Sequence, residues 1–355
     1  MKQNYSLSTL LYNLINRAPR PELQLGRRQD ADQDGKKIAT TIRLDPATKE
    51  FIETQADHMG ISVQEFVSMT LKAIMKSTLE PQANELHLMA DRVMEAFAVH
   101  GVAVADIPSL LPNGAVQRSD FLNRNDLVNK LDTKLIQHIA ELFDLNPEWL
   151  RGVQQNSHTF CKHRWYKNVS GFAHWLCVLK RNARRIRVLF VAEDGTSLES
   201  LARARVEGDS IASVNIGVVI EKEISINNIG YTSYEVWESE RWNYWRCRYC
   251  LKAMMMFCEK AGITYDGILL PPSSFRELFY GNTLAKELIT RFELWYPDTF
   301  LWNDPQNLEL IELDTIKSFY LESGAERYEL AAQRPYLVKD WAEFERGNIE
   351  YKSLE

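Results

Sequence analysis

From Lys37 to Leu44 polar and apolar side chains alternate: Ile38, Thr40, Ile42 and Leu44 share one face, and Lys37, Ala39, Thr41 and Arg43 share the other. That period of two predicts a short strand. It stops at Asp45-Pro46, a capping residue followed by proline at a first helical position. The period then lengthens. Ala47, Phe51, Ile52, Ala56 and Met59 line one face of a helix closed by Gly60. Ser62 caps a second helix whose apolar face is Val63, Phe66, Val67, Thr70, Leu71 and Ile74. Upstream, a short amphipathic helix over Ser8–Asn16 runs into Pro19 and Pro21, and a polar stretch reads as a linker through residue 35.

Downstream the helical period returns over Leu86–His100 and Val104–Leu111, and again over Thr133–Phe143. Asn146-Pro147 then starts a short helix that ends at Gly152. Helix Phe172–Leu179 and strand Arg184–Val191 follow. Next come a hairpin of Asn215–Ile226 and Gly230–Glu238 turning around Asn227-Asn228-Ile229-Gly230, helix Glu240–Lys260 capped at Gly262, and strand Thr264–Leu270. The expectation is a multidomain α+β chain. Residues 1–35 form a short helix and linker, 36–80 a strand and two helices, and 84–153 an all-α unit. Residues 158–332 form an α+β domain for sensing, partner binding or scaffolding, and 333–355 a polar tail.

With 355 residues the chain exceeds what one small core organises. No run approaches the ~18 apolar residues of a membrane span. Five cysteines without an export signal do not form a disulfide framework, which points to the reducing cytoplasm. The net charge of −6 disfavours a polyanionic partner only on average. Residues 36–78 hold six basic against five acidic side chains, whereas residues 85–151 hold six against ten. Any footprint on nucleic acid is therefore expected near the N-terminus.

One strand and two short helices cannot close a core within about 40 residues, and a lone strand leaves an unpaired edge. Dimerisation answers both: two strands pair into a ribbon and four helices bury their apolar faces. The ribbon then presents Lys37, Ala39, Thr41 and Arg43, a width and chemistry that fit the DNA major groove. The amides at Ser62, Val63 and Gln64 open a helix and attract phosphate. Ile-Arg-Leu-Asp, an amphipathic helix, Met-Gly-Ile-Ser and a second amphipathic helix together resemble the Arc/MetJ-type ribbon-helix-helix family over residues 36–78. The resemblance implies a homodimer that reads bases of double-stranded DNA with the strand's outward residues and clamps phosphate after Gly60. Ala39 departs from it, since members often carry a longer polar reader there. A β-α-α dimerisation unit that never meets DNA is the competing reading.

The Thr133–Phe143 helix with Trp149-Leu150-Arg151-Gly152 resembles the last two helices of phage-repressor-type helix-turn-helix domains, over about 86–152. By that resemblance the recognition helix would fall in Ser119–Lys130, with Arg118, Ser119, Arg124 and Asn125 as a second set of DNA contacts. Asp120, Asp126 and Asp132 in the same stretch oppose phosphate. A degenerate domain for dimerisation or partner binding fits equally.

No phosphate-cradling glycine loop, nucleophile elbow or zinc-protease helix is present, so neither catalysis nor a cofactor is expected. Cys247 and Cys250 have metal-like spacing, and His158, Cys161 and His163 would complete a zinc set. Their neighbours Trp245, Leu251, Met254, Met255 and Cys258 mark instead a packed helix. Trp237, Trp242, Tyr244, Trp245 and Tyr249 line either a core or a ligand pocket, and Glu221 and Glu223 read as a solvated strand face. The expected protein is a cytoplasmic, bacterial, plasmid or phage type of transcriptional regulator. It engages DNA, itself, and a protein or small-molecule effector through its C-terminal domain. A toxin-like or defence effector enzyme and a DNA-coating partition or assembly protein are the rival readings.

Overall fold

The computed structural model describes residues 43–79, 81–159, 168–195, 214–281, 283–289, 293–297 and 310–352, with the backbone alone at 73–79, 81–84 and 310–312. The expected Ser8–Asn16 helix, the linker and the strand residues Lys37 to Ile42 lie outside the described residues. The chain divides after Asn84 into two compact units.

The first unit contains α1 (Pro46–Met59) and α2 (Val63–Leu79). Both boundaries follow the local chemistry. The Asp45 side chain accepts the Thr48 amide at 3.0 Å, and Gly60 turns left-handed at φ 67°. That conformation costs a glycine little and a residue with a Cβ much more.

The second unit contains α3 (Pro81–Val99) from Glu85 onward, α4 (Ile107–Leu110), α5 (Arg124–Val128), α6 (Thr133–Phe143) and α7 (Pro147–Leu150). The helix expected across Ser119–Lys130 is broken: Arg118–Phe121 is a single 3₁₀ turn and α5 a short helix beginning at Arg124. Asn123 caps α5 through its side chain at the Asn125 amide (3.0 Å), and Leu122 between the pieces is 88% exposed. Both observations explain the break. Asn favours caps over helix interiors, and an unburied leucine supplies no packing to hold the helix together. Asp132 caps α6, and Asn146 caps α7 as its sequence predicts.

The remaining elements are α8 (Val169–Asn182), β1 (Arg185–Glu193), β2 (Asn215–Ile226), β3 (Ile229–Arg241), α9 (Trp245–Lys260) and β4 (Thr264–Leu270). After them come α10 (Pro272–Tyr280), α11 (Ala285–Leu288), β5 (Glu293–Trp295), α12 (Leu310–Ser323), α13 (Glu329–Gln333) and α14 (Trp341–Glu345). The strands form one mixed sheet in the order β3-β2-β1-β4-β5, antiparallel except for the β1–β4 pair. A parallel pair needs a crossover, which α9 provides. Val188 to Ala192 of β1 are fully buried on both faces, consistent with their unbroken apolar run. Asn227 and Asn228 both take positive φ and make the two-residue turn of the β2–β3 hairpin.

Helices cover both faces. Phe172 and Leu176 of α8, Met254 and Phe257 of α9, and Ile316 and Tyr320 of α12 pack with Val188, Phe190, Val218, Ile220 and Trp237. Phe275 and Phe279 of α10 and Ala285 of α11 pack with Leu189, Val191, Val219, Val236 and Ile268.

Three expectations change here. Residues 84–153 and 158–332 are not separate cores: the hairpin's far end places Tyr231, Ile224, Ile226 and Ile229 among Phe97, Ile136, Ile139 and Phe143 of the helical layer. The helix expected from Glu240 starts at Trp245, because ladder pairing carries β3 on to Arg241 opposite Asn215. The stretch 333–355, read as a polar tail, is folded as far as it is described. Leu337, Val338 and Phe344 are buried, and Val338 bridges Tyr351. Widely spaced apolar residues among charges give no clear period, so burial there depends on the surface they meet.

Candidate functional site

The α1–α2 pair carries the first set of candidate DNA contacts. The Ser62 Oγ accepts the Glu65 amide at 3.2 Å, while a Glu65 carboxylate oxygen accepts the Ser62 amide at 3.0 Å and the Ser62 hydroxyl at 2.7 Å. This reciprocal capping box fixes the start of α2. It also sets a carboxylate where the sequence suggested phosphate, leaving the first-turn amides of Val63 and Gln64 as the helix-end donors. Arg43 is exposed. Lys37, Ala39 and Thr41 lie outside the described residues.

The same unit leaves apolar surface uncovered. Leu44, Phe51, Met59, Val63, Met69 and Leu71 are each 42 to 54% exposed in the single chain. Six large side chains at that exposure in under 40 residues exceed the scattered singles normal for a soluble surface.

The second set lies on the helical layer, and its polar ends are already engaged. Arg124 pairs with Asp91 at 2.6 Å, Asn125 meets His87 at 2.9 Å, and the Arg118 guanidinium donates to the Ala105 carbonyl at 2.9 Å. Ser119 is exposed. The segment places Arg118 and Ser119 on a 3₁₀ turn and Arg124 and Asn125 in the first turn of the short helix α5.

Among the described residues no group of His, Cys, Asp and Glu is arranged to hold a metal. Cys247 is buried and Cys250 half-buried within α9, and burial pushes the Cys250 thiol up to about 11, so it stays protonated. Cys161 and His163 lie outside the described residues. Trp237 and Trp242 are fully buried and belong to the core rather than to a pocket wall. Glu221 is not a solvated residue: the Arg187 guanidinium holds it through two hydrogen bonds of 3.0 Å each, and the Tyr234 hydroxyl donates to it at 3.1 Å. Asp266 at 3.5 Å is a further partner of Arg187.

A buried polar network joins the helical layer to the sheet. Lys222 of β2 is 7% exposed, and its Nζ lies 2.6 Å from Asp144 and 3.6 Å from Glu235. Asp144 ends α6 in the left-handed conformation, φ 56°. Glu235 of β3 accepts the indole N–H of Trp175 at 2.8 Å and of Trp237 at 3.0 Å. Burial raises the Glu235 carboxyl, Lys222 opposes that rise and Asp144 adds to it. Nearby, His158 accepts the Ala285 amide at 3.0 Å and Ser157 donates to the Thr283 carbonyl at 3.1 Å. His100 stacks on Phe143 with centroids 4.4 Å apart. Desolvation lowers His100 to about 4 and His158 to about 3, keeping both neutral at pH 7.

This network was not singled out from the sequence, although a trace of it is present. Lys222 shares the inward parity of Val218, Ile220, Ile224 and Ile226, and Glu235 shares that of Tyr231, Ser233 and Trp237. A charged residue in phase with an apolar face is the signal of a buried pair. Its partner Asp144, about 80 residues away, has no such signature.

No family model, no curated protein and no solved structure matches this chain.

Proposed function

We propose that the protein binds double-stranded DNA as a homodimer through residues 36–78 and acts as a sequence-specific transcriptional regulator. The observation that carries this reading is the uncovered apolar face of the capped α1–α2 pair. A second copy would bury that face and pair the preceding alternating segment into a ribbon that offers Arg43 to a groove. The local charge balance supports it, since these residues are not acidic while the rest of the chain is. On this reading the protein works in the cytoplasm, performs no catalysis, and uses the second unit to meet a partner or effector.

The test is selection of duplexes from a random library with the full-length protein, repeated with Arg43→Ala. The wild type should enrich a twofold-symmetric sequence. The variant should lose preference at particular positions, by about 1–3 kcal/mol per bidentate guanine contact, while staying dimeric. Enrichment that is identical with and without Arg43 would remove the strand from the reading role.

A further inference from the structure

The structure points to a charge-exchange latch: we infer that Lys222 can hand its counter-ion from Asp144 to Glu235, so that the helical layer of residues 85–159 releases from the sheet as a local unit. The argument starts from where the three charges reside. Lys222 and Glu235 both belong to the sheet, on neighbouring antiparallel strands, with Ser233 directly opposite Lys222 and Glu235 one diagonal step along the same face. Asp144 belongs to the helical layer, at the left-handed end of α6. In the closed state Lys222 sits 2.6 Å from Asp144 and 3.6 Å from Glu235.

Removing one partner of a buried ion pair normally strands a charge in a low-dielectric interior, and this keeps such joints shut. Here it does not. When Asp144 leaves it becomes hydrated, and Lys222 keeps Glu235 as a ready counter-ion. The departure also removes the second carboxylate facing Glu235, which strengthens the remaining pair. Two indole N–H groups hold the other Glu235 oxygen, so the acceptor is fixed in place before the exchange.

The rest of the joint fits a surface that can part. It combines the apolar contacts of Tyr231, Leu284, Ile224, Ile226 and Ile229 with hydrogen bonds from Ser157 to Thr283 and Gly281, from Ala285 to His158 and from Asn227 to Ser109. Hydroxyl, amide and imidazole groups of this kind find water when exposed, whereas a wholly apolar joint would not.

Two near-isosteric variants of the full-length protein separate a latch from a purely structural pair. Asp144→Asn keeps a residue tolerant of the left-handed conformation and weakens the closed state. Glu235→Gln keeps an acceptor oxygen for the indoles but removes the receiving charge, so opening strands Lys222. Hydrogen exchange should therefore move in opposite directions. In Asp144→Asn the amides of residues 133–143 exchange about tenfold faster, and in Glu235→Gln severalfold slower, with residues 185–193 and 264–270 unchanged in both. Faster exchange in both variants, or an equal change in β1 and β4, would overturn the latch in favour of simple global destabilisation. If Asp144→Asn does not fold, Glu235→Gln decides alone: slower exchange of 133–143 supports the latch, and unchanged or faster exchange refutes it.

Discussion

At the scale of single residues, buried or capped charges govern how this chain responds to pH and how it would meet the proposed DNA partner. Glu65 occupies the start of α2 and accepts two donors of Ser62. Its charge stabilises the helix end but repels a phosphate approaching the Val63 and Gln64 amides. Glu65→Gln should therefore raise DNA affinity severalfold, measured by fluorescence anisotropy, at a cost to folding stability of about 1 kcal/mol or less. A weaker complex would show that phosphate does not approach this end. His100 and His158 make a different prediction. Their folded values, about 4 and about 3, lie below the ordinary 6.5. Between those values and 6.5 the unfolded chain binds more protons, so stability is fully present above pH 6.5 and falls as the pH drops through that window. By pH 4 the loss from His100 alone is on the order of 3 kcal/mol. Urea midpoints from pH 7 to 4 should track it, and replacing His100 with Gln should flatten the slope.

At the scale of elements, pattern and packing divide the credit. The boundaries of α1 and α7 and the β2–β3 turn were legible because Asp45, Asn146 and the Asn227-Asn228 pair act on backbone a few residues away. The broken helix after Arg118 and the late start of α9 were not, since the exposure of Leu122 and the pairing of Arg241 with Asn215 are decided by distant chain. Among the described residues the sheet has two places where a side chain does not fit, Gly217 and Gly267, and Gly217 is the tighter. A Cβ on Gly217 would stand 1.9 Å from the Phe279 ring of α10. Gly217→Ala should cost about 1–3 kcal/mol by overpacking, read from the denaturation midpoint. Phe279→Leu in the same chain should recover part of that loss. No recovery would mean that the strand backbone, not the ring, limits the site.

For the whole molecule, the question is what covers the first unit. Its apolar residues repeat at helical spacing, yet Phe51 remains 48% exposed with α1 and α2 formed. The proposed homodimer would answer this, and on that proposal Phe51→Glu should give a monomer in sedimentation velocity and abolish selective DNA binding. Secondary structure should stay intact, because both helices keep their caps. A variant that stays dimeric and binds DNA would place the partner surface elsewhere. The second set of candidate contacts, Arg118, Arg124 and Asn125, would then be next, though each already has a neighbour to bond.

The sequence alone determined the caps, the hairpin turn, the helix periods and the local charge of the N-terminal segment, since these rest on residues within about a turn of one another. Tertiary structure decided everything that depends on distant chain. It merged the helical layer with the sheet through Tyr231 and its hairpin neighbours, buried Val338 and Phe344 of the apparent tail, and drew Glu221 into an ion pair with Arg187. It also brought Asp144 to Lys222 across about 80 residues of sequence. The physical reason is common to all four: burial and the desolvation of charge depend on what stands opposite a side chain, and a linear pattern records the phase of a face but not its partner.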